Sequence, residues 1–385
     1  MTPSIQEKNL YQKELFSNRL KKKYRELKKY ARKNRISCYR LYDRDIPEIP
    51  VSLDIYEFLP DYVNDKIECA RYMNEVSARI SGNDLSCEKE LENLRYGVLY
   101  LYERPYQKDE KEEEIWLNCM TEAVCQVLGI EKSHVVQKMR KMQKGQNQYE
   151  KNDIQKIEGL SQEQGELFKI NISSYLDTGL FFDHRILRKI VRDSSKGKRV
   201  LNLFCYTGSF SVYAAEGGAK YIESVDLSNT YLNWAKENMA LNGFTENQKY
   251  LFTRADVLEW LESQAKALSE KKGGNKEEEK KEASPLFDLI ILDPPTFSNS
   301  KSTQNVLDIN RDYPKLIENA SVLLSENGVL YFSTNSKTLQ FENEKIPDYL
   351  EVKDMTLESI PKDFEGSKCH RLWKITKNAN APVKF

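Results

Sequence analysis

The chain has 385 residues and balances 59 Lys/Arg against 59 Asp/Glu, so whole-chain electrostatics select no partner, while the length holds two domains with a core in each. Seven cysteines without C-x-x-C spacing and three scattered histidines offer no legible zinc site and fit reduced thiols in a cytoplasmic protein. No apolar stretch approaches the ~18 residues of a membrane span, and the N-terminus lacks an apolar core of the kind export requires.

Charge is unevenly placed: residues 16–45 carry twelve Lys/Arg against three Asp/Glu, and residues 132–156 carry seven against two. The first predicted element is a helix from Phe16, with Leu20, Tyr24, Leu27 and Ala31 on one face. Lys21, Lys22, Arg25, Lys28, Lys29, Arg32 and Lys33 take the remaining surface, which suits either phosphate contact or a plain solvated face. Alternating runs at 38–42 and 51–56 around Pro47 and Pro50 predict a β-hairpin. A helix is expected over 62–80, a polar loop over 81–90, a strand over 96–102 and a helix over 112–128, with Ile115, Cys119, Ala123 and Val127 on one face. A strand over 134–141 leads into Lys141–Lys151, a basic, amide-rich tract with one aromatic ring. Cations, amides and a stacking ring suit an RNA loop contact, and a flexible polar loop is the alternative. Residues 153–164 read as linker and 166–172 as strand.

The stretch Asp177–Arg185 contains Gly179 and the Phe181/Phe182 pair, and places Asp183, His184 and Arg185 near a sheet end. Arg185 there could meet a carboxylate or belong to a helix N-terminal charge cluster. Val200, Leu201, Leu203 and Phe204 form the near-continuous apolar run of a strand buried on both faces. Tyr206–Ser209 breaks the run, and helical spacing resumes at Phe210, so a cofactor can approach bare backbone at a helix start. A second strand stops on Asp226, 18 positions after Gly208, where a carboxylate suits two ribose hydroxyls. A helix over 229–241 closes on Asn242-Gly243. The third strand ends on Asp256, a helix runs over 257–268, and a Lys/Glu/Gly tract over 271–282 reads as a surface insert. The fourth strand ends in Asp293-Pro294-Pro295, a helix interrupted near Pro314 follows, and 328–333 is the fifth strand. Two final strands fit 350–355 and 370–375. Strands alternating with helices and closing in a hairpin predict an α/β, doubly wound, Rossmann-like sheet.

Four successive strands thus end in usable chemistry, which should converge outside their carboxyl ends. The chain lacks both the G-x-G-x-x-G of a dinucleotide site and the Lys-Ser/Thr of a P-loop. S-adenosylmethionine (SAM) needs no phosphate cradle: Asp226 serves the ribose, Asp256 the adenine amino group, and the turn backbone the methionine end. Candidate cofactor contacts are Phe182, Asp183, Arg185, Asn202, Phe204, Tyr206, Thr207, Gly208, Ser209, Asp226, Leu227, Ser228, Asn242, Asp256, Val257 and Asp293. The prolines after Asp293 hold the next backbone away from helix. With Phe297 available to stack, this suggests a planar nitrogenous substrate.

Three runs, Asn202–Phe210, Leu292–Lys301 and Tyr175–Arg185, resemble the bacterial 23S rRNA guanine-N7 methyltransferases, which commonly form the C-terminal half of a bifunctional protein. The likeness extends through Asn18-Arg-Leu, Cys38–Asp43 and Gln143–Lys151, and covers about residues 17–375. It implies a seven-stranded class I methyltransferase domain over 166–385, with the insert at about 269–284. A smaller N-terminal α+β RNA-binding domain is implied over 1–165. The resemblance further implies SAM as cofactor, 23S rRNA or a large-subunit precursor as partner, no metal, and either a monomer or a homodimer. Expected transfer-site residues are Asp293, Pro294, Pro295, Phe297, Asn299 and Asn335; expected RNA contacts are Lys22, Arg25, Lys29, Arg32, Lys144, Gln146, Asn147, Tyr149 and Lys151. The chain departs from the family in lacking the preceding guanine-N2 half, in a longer 62–94 stretch and in the charged insert. Cytosine-C5 transfer would need a thiolate after the fifth strand, where this chain has Asn335. Guanine-N2 or adenine-N6 transfer, and a non-catalytic ribosome-assembly factor, are the remaining alternatives.

Overall fold

The apolar run at Val200–Leu203 forms the central strand of a sheet, and this placement explains its composition, because a strand paired on both edges and covered on both faces has no solvent side. The computed structural model describes residues 4–104, 106, 108–140, 156–273, 286–298 and 307–378. It divides the chain into Met1–Phe182 with Lys362–Ser367, and Asp183–Pro361 with Lys368–Phe385. No helix among the described residues is long and apolar enough to cross a membrane.

The first unit contains α1 (Ile5–Lys33), β1 (Cys38–Asp43), β2 (Val51–Glu57), α2 (Lys66–Ser81), α3 (Leu85–Asn93), β3 (Arg95–Tyr102), α4 (Glu110–Leu128), β4 (Val135–Arg140), β5 (Glu158–Glu163) and β6 (Glu166–Asn171). Four strands pair in the order β1-β2-β3-β4, antiparallel except for β3–β4, which α4 connects in parallel. Phe16, Leu20, Leu27 and Ala31 of α1 are buried with Leu53, Leu99, Trp116 and Met120, so the apolar stripe packs as its spacing predicts.

Four sequence-based expectations change here. The basic helix begins at Ile5, where a reciprocal Ser4–Glu7 capping box satisfies its first N–H groups. Residues 81–90 are not all loop: Asp84 caps α3, whose Cys87 and Leu91 pack on Val76, too few apolar positions to reveal a period. On α4 the buried face is Trp116, Met120, Ala123 and Val124, whereas Ile115 is 62% exposed. The predicted face is turned by about one residue because Trp116 anchors the helix, its Nε1 donating to Gln12 Oε1 at 2.6 Å. Finally, the expected linker contains β5, a polar strand whose Ser161, Gln162 and Glu163 are fully buried. β5 pairs with β6 through a turn at Gln164 (φ 56°) and Gly165 (φ 97°), and a hairpin with two such residues keeps both strands together. The first compact unit runs on to Phe182 and keeps both strands of this hairpin.

The second unit contains α5 (Arg185–Ser194), β7 (Arg199–Leu203), α6 (Ser209–Glu216), β8 (Tyr221–Asp226), α7 (Asn229–Leu241), β9 (Tyr250–Arg254), α8 (Val257–Gly273), β10 (Phe287–Leu292), β11 (Phe297–Ser298), β12 (Leu307–Asp308), α9 (Ile309–Val322), β13 (Leu324–Thr334), β14 (Leu350–Asp354), α10 (Thr356–Ser359) and β15 (Arg371–Lys377). Seven strands run β14-β15-β13-β10-β7-β8-β9. Six run in one direction, and β15 is reversed, antiparallel to both β13 and β14. This is the expected Rossmann-like seven-stranded sheet with its closing hairpin. Leu201, Leu203, Ile290, Leu292, Leu330 and Phe332 form its core with Ile309, Leu316 and Ile317 of α9. Pro314 lies within α9 without ending it.

At Gly217 an added Cβ would lie 2.0 Å from the Arg192 carbonyl oxygen. Gly217→Ala should therefore overpack the α5–α6 contact at a cost of about 1–3 kcal/mol. A thermal melt should show Tm lowered by roughly 2–10 °C.

Candidate active site

Chain order reverses at the centre of the second sheet: β8 and β9 lie on one side of β7, β10 and β13 on the other. The loops after β7 and β10 leave in different directions there and open a crevice at the strands' carboxyl ends. The loop after β7 has a left-handed backbone at every second residue, Phe204 (φ 54°), Tyr206 (φ 50°) and Gly208 (φ 73°). Left-handed non-glycine residues are strained and persist only where their surroundings hold them. Here Cys205 N donates to Val225 O at 3.1 Å, Gly208 N to Cys205 O at 2.8 Å and Asn238 Nδ2 to Thr207 O at 2.9 Å. Gly208 has a further reason to be glycine, since a Cβ would meet Ala235 Cβ at 2.7 Å.

Asp226 receives Tyr206 N on Oδ2 at 2.9 Å and Ser228 N on Oδ1 at 2.8 Å. Burial pushes its carboxyl up, against the pull of those N–H groups. A carboxylate has about four lone-pair directions, so both oxygens keep acceptor capacity for a diol. Asn202 on β7 donates to Ser211 Oγ at 2.9 Å, while its buried Oδ1 has no hydrogen-bond partner. Asn202, Gly208 and Asp226 thus lie at or just beyond the carboxyl ends of the adjacent strands β7 and β8.

Other expected cofactor residues have local structural roles. Asp256 Oδ1 caps α8 through Leu258 N at 2.8 Å, and Val257 is buried in the core. Ser228 caps α7 through Tyr231 N, with Leu227 just before it. Asn242, at the other end of α7, is buried and donates to Asn238 O at 2.8 Å. Ser209 opens α6 and Thr207 is fully buried. Arg185 is fully buried at the start of α5. Phe182 falls in the first unit, its ring 5.4 Å from Tyr56.

At the end of β10, two side chains hold Asp293. His184 donates from Nε2 to Oδ2 at 3.2 Å, and Ser333 donates to Oδ1. The His184 ring stacks on His370 with centroids 4.8 Å apart and planes at 20°. His370 bonds Asp183 Oδ2 at 3.2 Å and Ser359 Oγ at 2.8 Å. Burial alone would depress the His184 imidazole, but the Asp293 and Asp183 carboxylates outweigh it and it is pushed up to about 9. Burial likewise works to raise Asp293, yet the His184 cation and the Ser333 hydroxyl hold it below the usual carboxylate range. Donor atoms of Asp183, His184 and His370 lie within 4.8 Å of one another. The two imidazoles, however, aim their in-plane nitrogens along near-parallel planes, which suits separate carboxylates better than one shared ion.

The loop beyond Asp293 buries Pro294 and exposes Pro295 and Phe297, the latter 62% exposed. Thr296 Oγ1 donates to Asn335 Oδ1 at 2.6 Å, joining this loop to the end of β13. Asn299 lies outside the described residues, as do Lys144, Gln146, Asn147, Tyr149 and Lys151. On α1, Lys22, Arg25 and Lys29 are exposed. Arg32 pairs with Glu88 at 2.7 Å, so a phosphate there would compete with that carboxylate. Sequence reading named His184 without giving it a role and missed Ser333 and His370. Pairing of Leu292 with Phe332 places Ser333 beside Asp293, a signal available only once strand order is known. Cys205 is buried and its thiol is pushed well up by that burial, which fits a packing residue rather than a nucleophile.

A family model for S-adenosylmethionine-dependent methyltransferases matches residues 98–342. The chain belongs to this methyltransferase family. It is 39% identical to the Neisseria meningitidis ribosomal RNA large subunit methyltransferase K, across 94% of this chain and 86% of that protein. It is 38% identical to the Shewanella frigidimarina ribosomal RNA large subunit methyltransferase K/L, across 94% of this chain but only 43% of that longer protein. Among solved structures, a methyltransferase complexed with SAH superposes with a TM-score of 0.64 at 21% identity, over 94% of this chain and 81% of that one. A Streptococcus mutans protein described as SAM-dependent superposes at 0.62 and 20% identity, over 94% and 81%. The cofactor of this methyltransferase is therefore SAM, and the close-packed Gly208, the unpartnered Asn202 Oδ1 and the Asp226 carboxylate with acceptor capacity to spare fit it.

The His184–Asp293 pair links stability to pH with a definite sign. His184 rises from 6.5 to about 9 on folding, so its contribution is complete below 6.5 and is lost as pH rises through about 9. Asp293 is lowered from 3.8, so its contribution is present above 3.8 and disappears as pH falls through the folded value. Denaturant unfolding of this methyltransferase should show stability falling as pH climbs from 6.5 towards 9, and His184→Gln should flatten that slope.

Proposed function

We propose that this methyltransferase transfers a methyl group to N7 of a guanine in 23S ribosomal RNA. The observation that carries the reading is the state of Asp293, a carboxylate held below its usual range with both oxygens already bonded. Such a group is a poor general base and a good fixed anion. Guanine N7 presents an in-plane lone pair, so its methylation needs no base and leaves positive charge on the ring, which a nearby carboxylate stabilises. Ring-carbon methylation would need a thiolate, and Cys205 is buried and protonated. The Neisseria and Shewanella relatives are by name ribosomal RNA large subunit methyltransferases.

SAM supplies an electrophilic methyl group on a sulfonium centre. The chain's own residues hold and orient: Gly208, Asn202 and Asp226 receive the cofactor, and Asp256 lies at the adenine end. Phe297, exposed beyond Pro294 and Pro295, stacks on the base, and Asn335, fixed by Thr296, reads its edge with Asn299. Proximity in this frame supplies most of the acceleration. A base inside folded rRNA reaches the crevice by leaving its stack. Lys22, Arg25 and Lys29 on α1 and the tract Lys144–Lys151 hold phosphates.

Incubation with labelled SAM and unmodified 23S rRNA, followed by nucleoside digestion, should yield 7-methylguanosine. Asp293→Ala should lower that yield about 10²–10³-fold with cofactor affinity nearly unchanged. Recovery of N2-methylguanosine, N6-methyladenosine or 5-methylcytidine overturns the base chemistry, and RNA binding without transfer favours an assembly factor. Replacing Lys22, Arg25 and Lys29 together by Glu should weaken RNA binding and reduce its salt dependence, by about one unit of slope for each phosphate interaction removed, as read by titration at several salt concentrations.

A further inference from the structure

We propose that His184 is a positioning residue of the transfer site: its ring, braced by the stacked His370, fixes the Asp293 carboxylate as an oriented anion facing the base that receives the methyl group. The inference rests on the reading of Asp293 as a fixed anion and assigns the group that makes it one.

Asp293 stands one residue beyond β10, where strand pairing no longer restrains it, and its oxygens are caught from two different elements. His184 takes Oδ2 from the start of α5, and Ser333 takes Oδ1 from the end of β13. With both oxygens bonded, the carboxylate plane cannot swing. His184 is itself clamped: His370 stacks on it at 4.8 Å, and Phe210 of α6 lies 5.7 Å away. His370 in turn is tied to Asp183 and Ser359. The bracing therefore runs from α10 and the segment before β15, through two imidazoles, to the one carboxylate of the Asp-Pro-Pro loop.

The second observation is an asymmetry. His184 is only 7% exposed, yet its Nδ1 is buried with no hydrogen-bond partner. Leaving a buried polar atom unmet is destabilising, and a histidine serving only as core filling would be better replaced by an apolar side chain. The ring is satisfied solely on the side that serves Asp293. The charged groups facing it are Asp293 after β10, Asp183 beside it and Arg188 one turn along α5, and the one other titratable group against it is the ring of the stacked His370. Burial and Arg188 act against its protonation, Asp293 and Asp183 act for it, and the balance lies at about 9. At neutral pH the ring is an imidazolium, and above about 9 Asp293 loses its cationic partner.

The test compares turnover from about pH 7 to 10 for the wild-type chain, His184→Leu and His184→Gln, with cofactor affinity measured by calorimetry. The wild-type kcat should decline as pH passes about 9. His184→Leu should lower kcat by roughly 10²-fold while cofactor Kd and RNA KM stay within about threefold. His184→Gln, whose amide can still donate to Asp293, should recover part of kcat and abolish the alkaline decline. If His184→Leu does not fold, the His184→Gln profile decides alone. Wild-type kcat in His184→Leu, or an alkaline decline that survives in His184→Gln, overturns the proposal. Turnover is counted on whichever nucleoside the wild-type chain methylates. A product other than 7-methylguanosine therefore defeats the N7 reading, whereas only an unchanged pH profile or kcat defeats this one.

Discussion

Strand register in the second sheet determines which side chains can share a site. Leu203 pairs with Leu292 and with Val225, and Leu292 pairs with Phe332. The residues next in line, Phe204, Asp226, Asp293 and Ser333, therefore emerge at one level along a single edge of the sheet. A slip of one residue between β7 and β10 would send Leu203 and Leu292 to the wrong face. It would also draw Asp293 away from the Phe204–Gly208 loop. The apolar core that enforces register thus also aligns the polar groups beyond it. That is why the strained backbone at Phe204 and Tyr206 is sustained, because its restraints come from a neighbouring strand, Val225 and Asp226, that cannot move independently.

Electrostatics at this edge depend on which partners the same register supplies. A carboxylate in a partly buried place is normally driven towards its neutral form. Asp226 and Asp293 share that tendency and diverge because of their partners. Asp226 is opposed only by backbone N–H groups, and burial wins. Asp293 has a histidine cation and a hydroxyl, and ionisation wins. Asp226 is thus shifted up and Asp293 down from the ordinary carboxyl value, with acceptor capacity left on Asp226 for hydroxyls. The first suits the ribose of the cofactor.

The first unit shows how composition can mislead about charge. Residues 16–45 are strongly basic, yet several of these cations are neutralised within the unit. Lys28 and Arg32 of α1 converge on Glu88, and Arg95, almost wholly buried, reaches Glu57 and Glu88. Lys23 pairs with Asp45 at 2.8 Å. Lys21, Lys22, Arg25, Lys29 and Lys33 remain exposed on α1, and of these Lys22, Arg25 and Lys29 lie opposite its buried stripe.

Sequence alone determined the features that local pattern encodes. The apolar runs at Val200–Leu203 and Leu289–Leu292 can only be buried parallel strands. Gly208 opens a helix, and Asp226 and Asp293 end strands, so the class of fold and these candidate positions could be read directly. It also carried the α1 stripe, because helical spacing is a local property. What it could not carry were groups brought in by pairing. Ser333 reaches Asp293 from 40 positions along the chain, and His370 reaches His184 from farther still, with no motif of their own. The polar strand Ser161–Glu163 was invisible for a related reason, since its burial is met by partners rather than by hydrophobicity. Only tertiary structure decided which charges are committed to one another, because an ion pair or a shared proton depends on distance in space, which spacing along the chain does not encode.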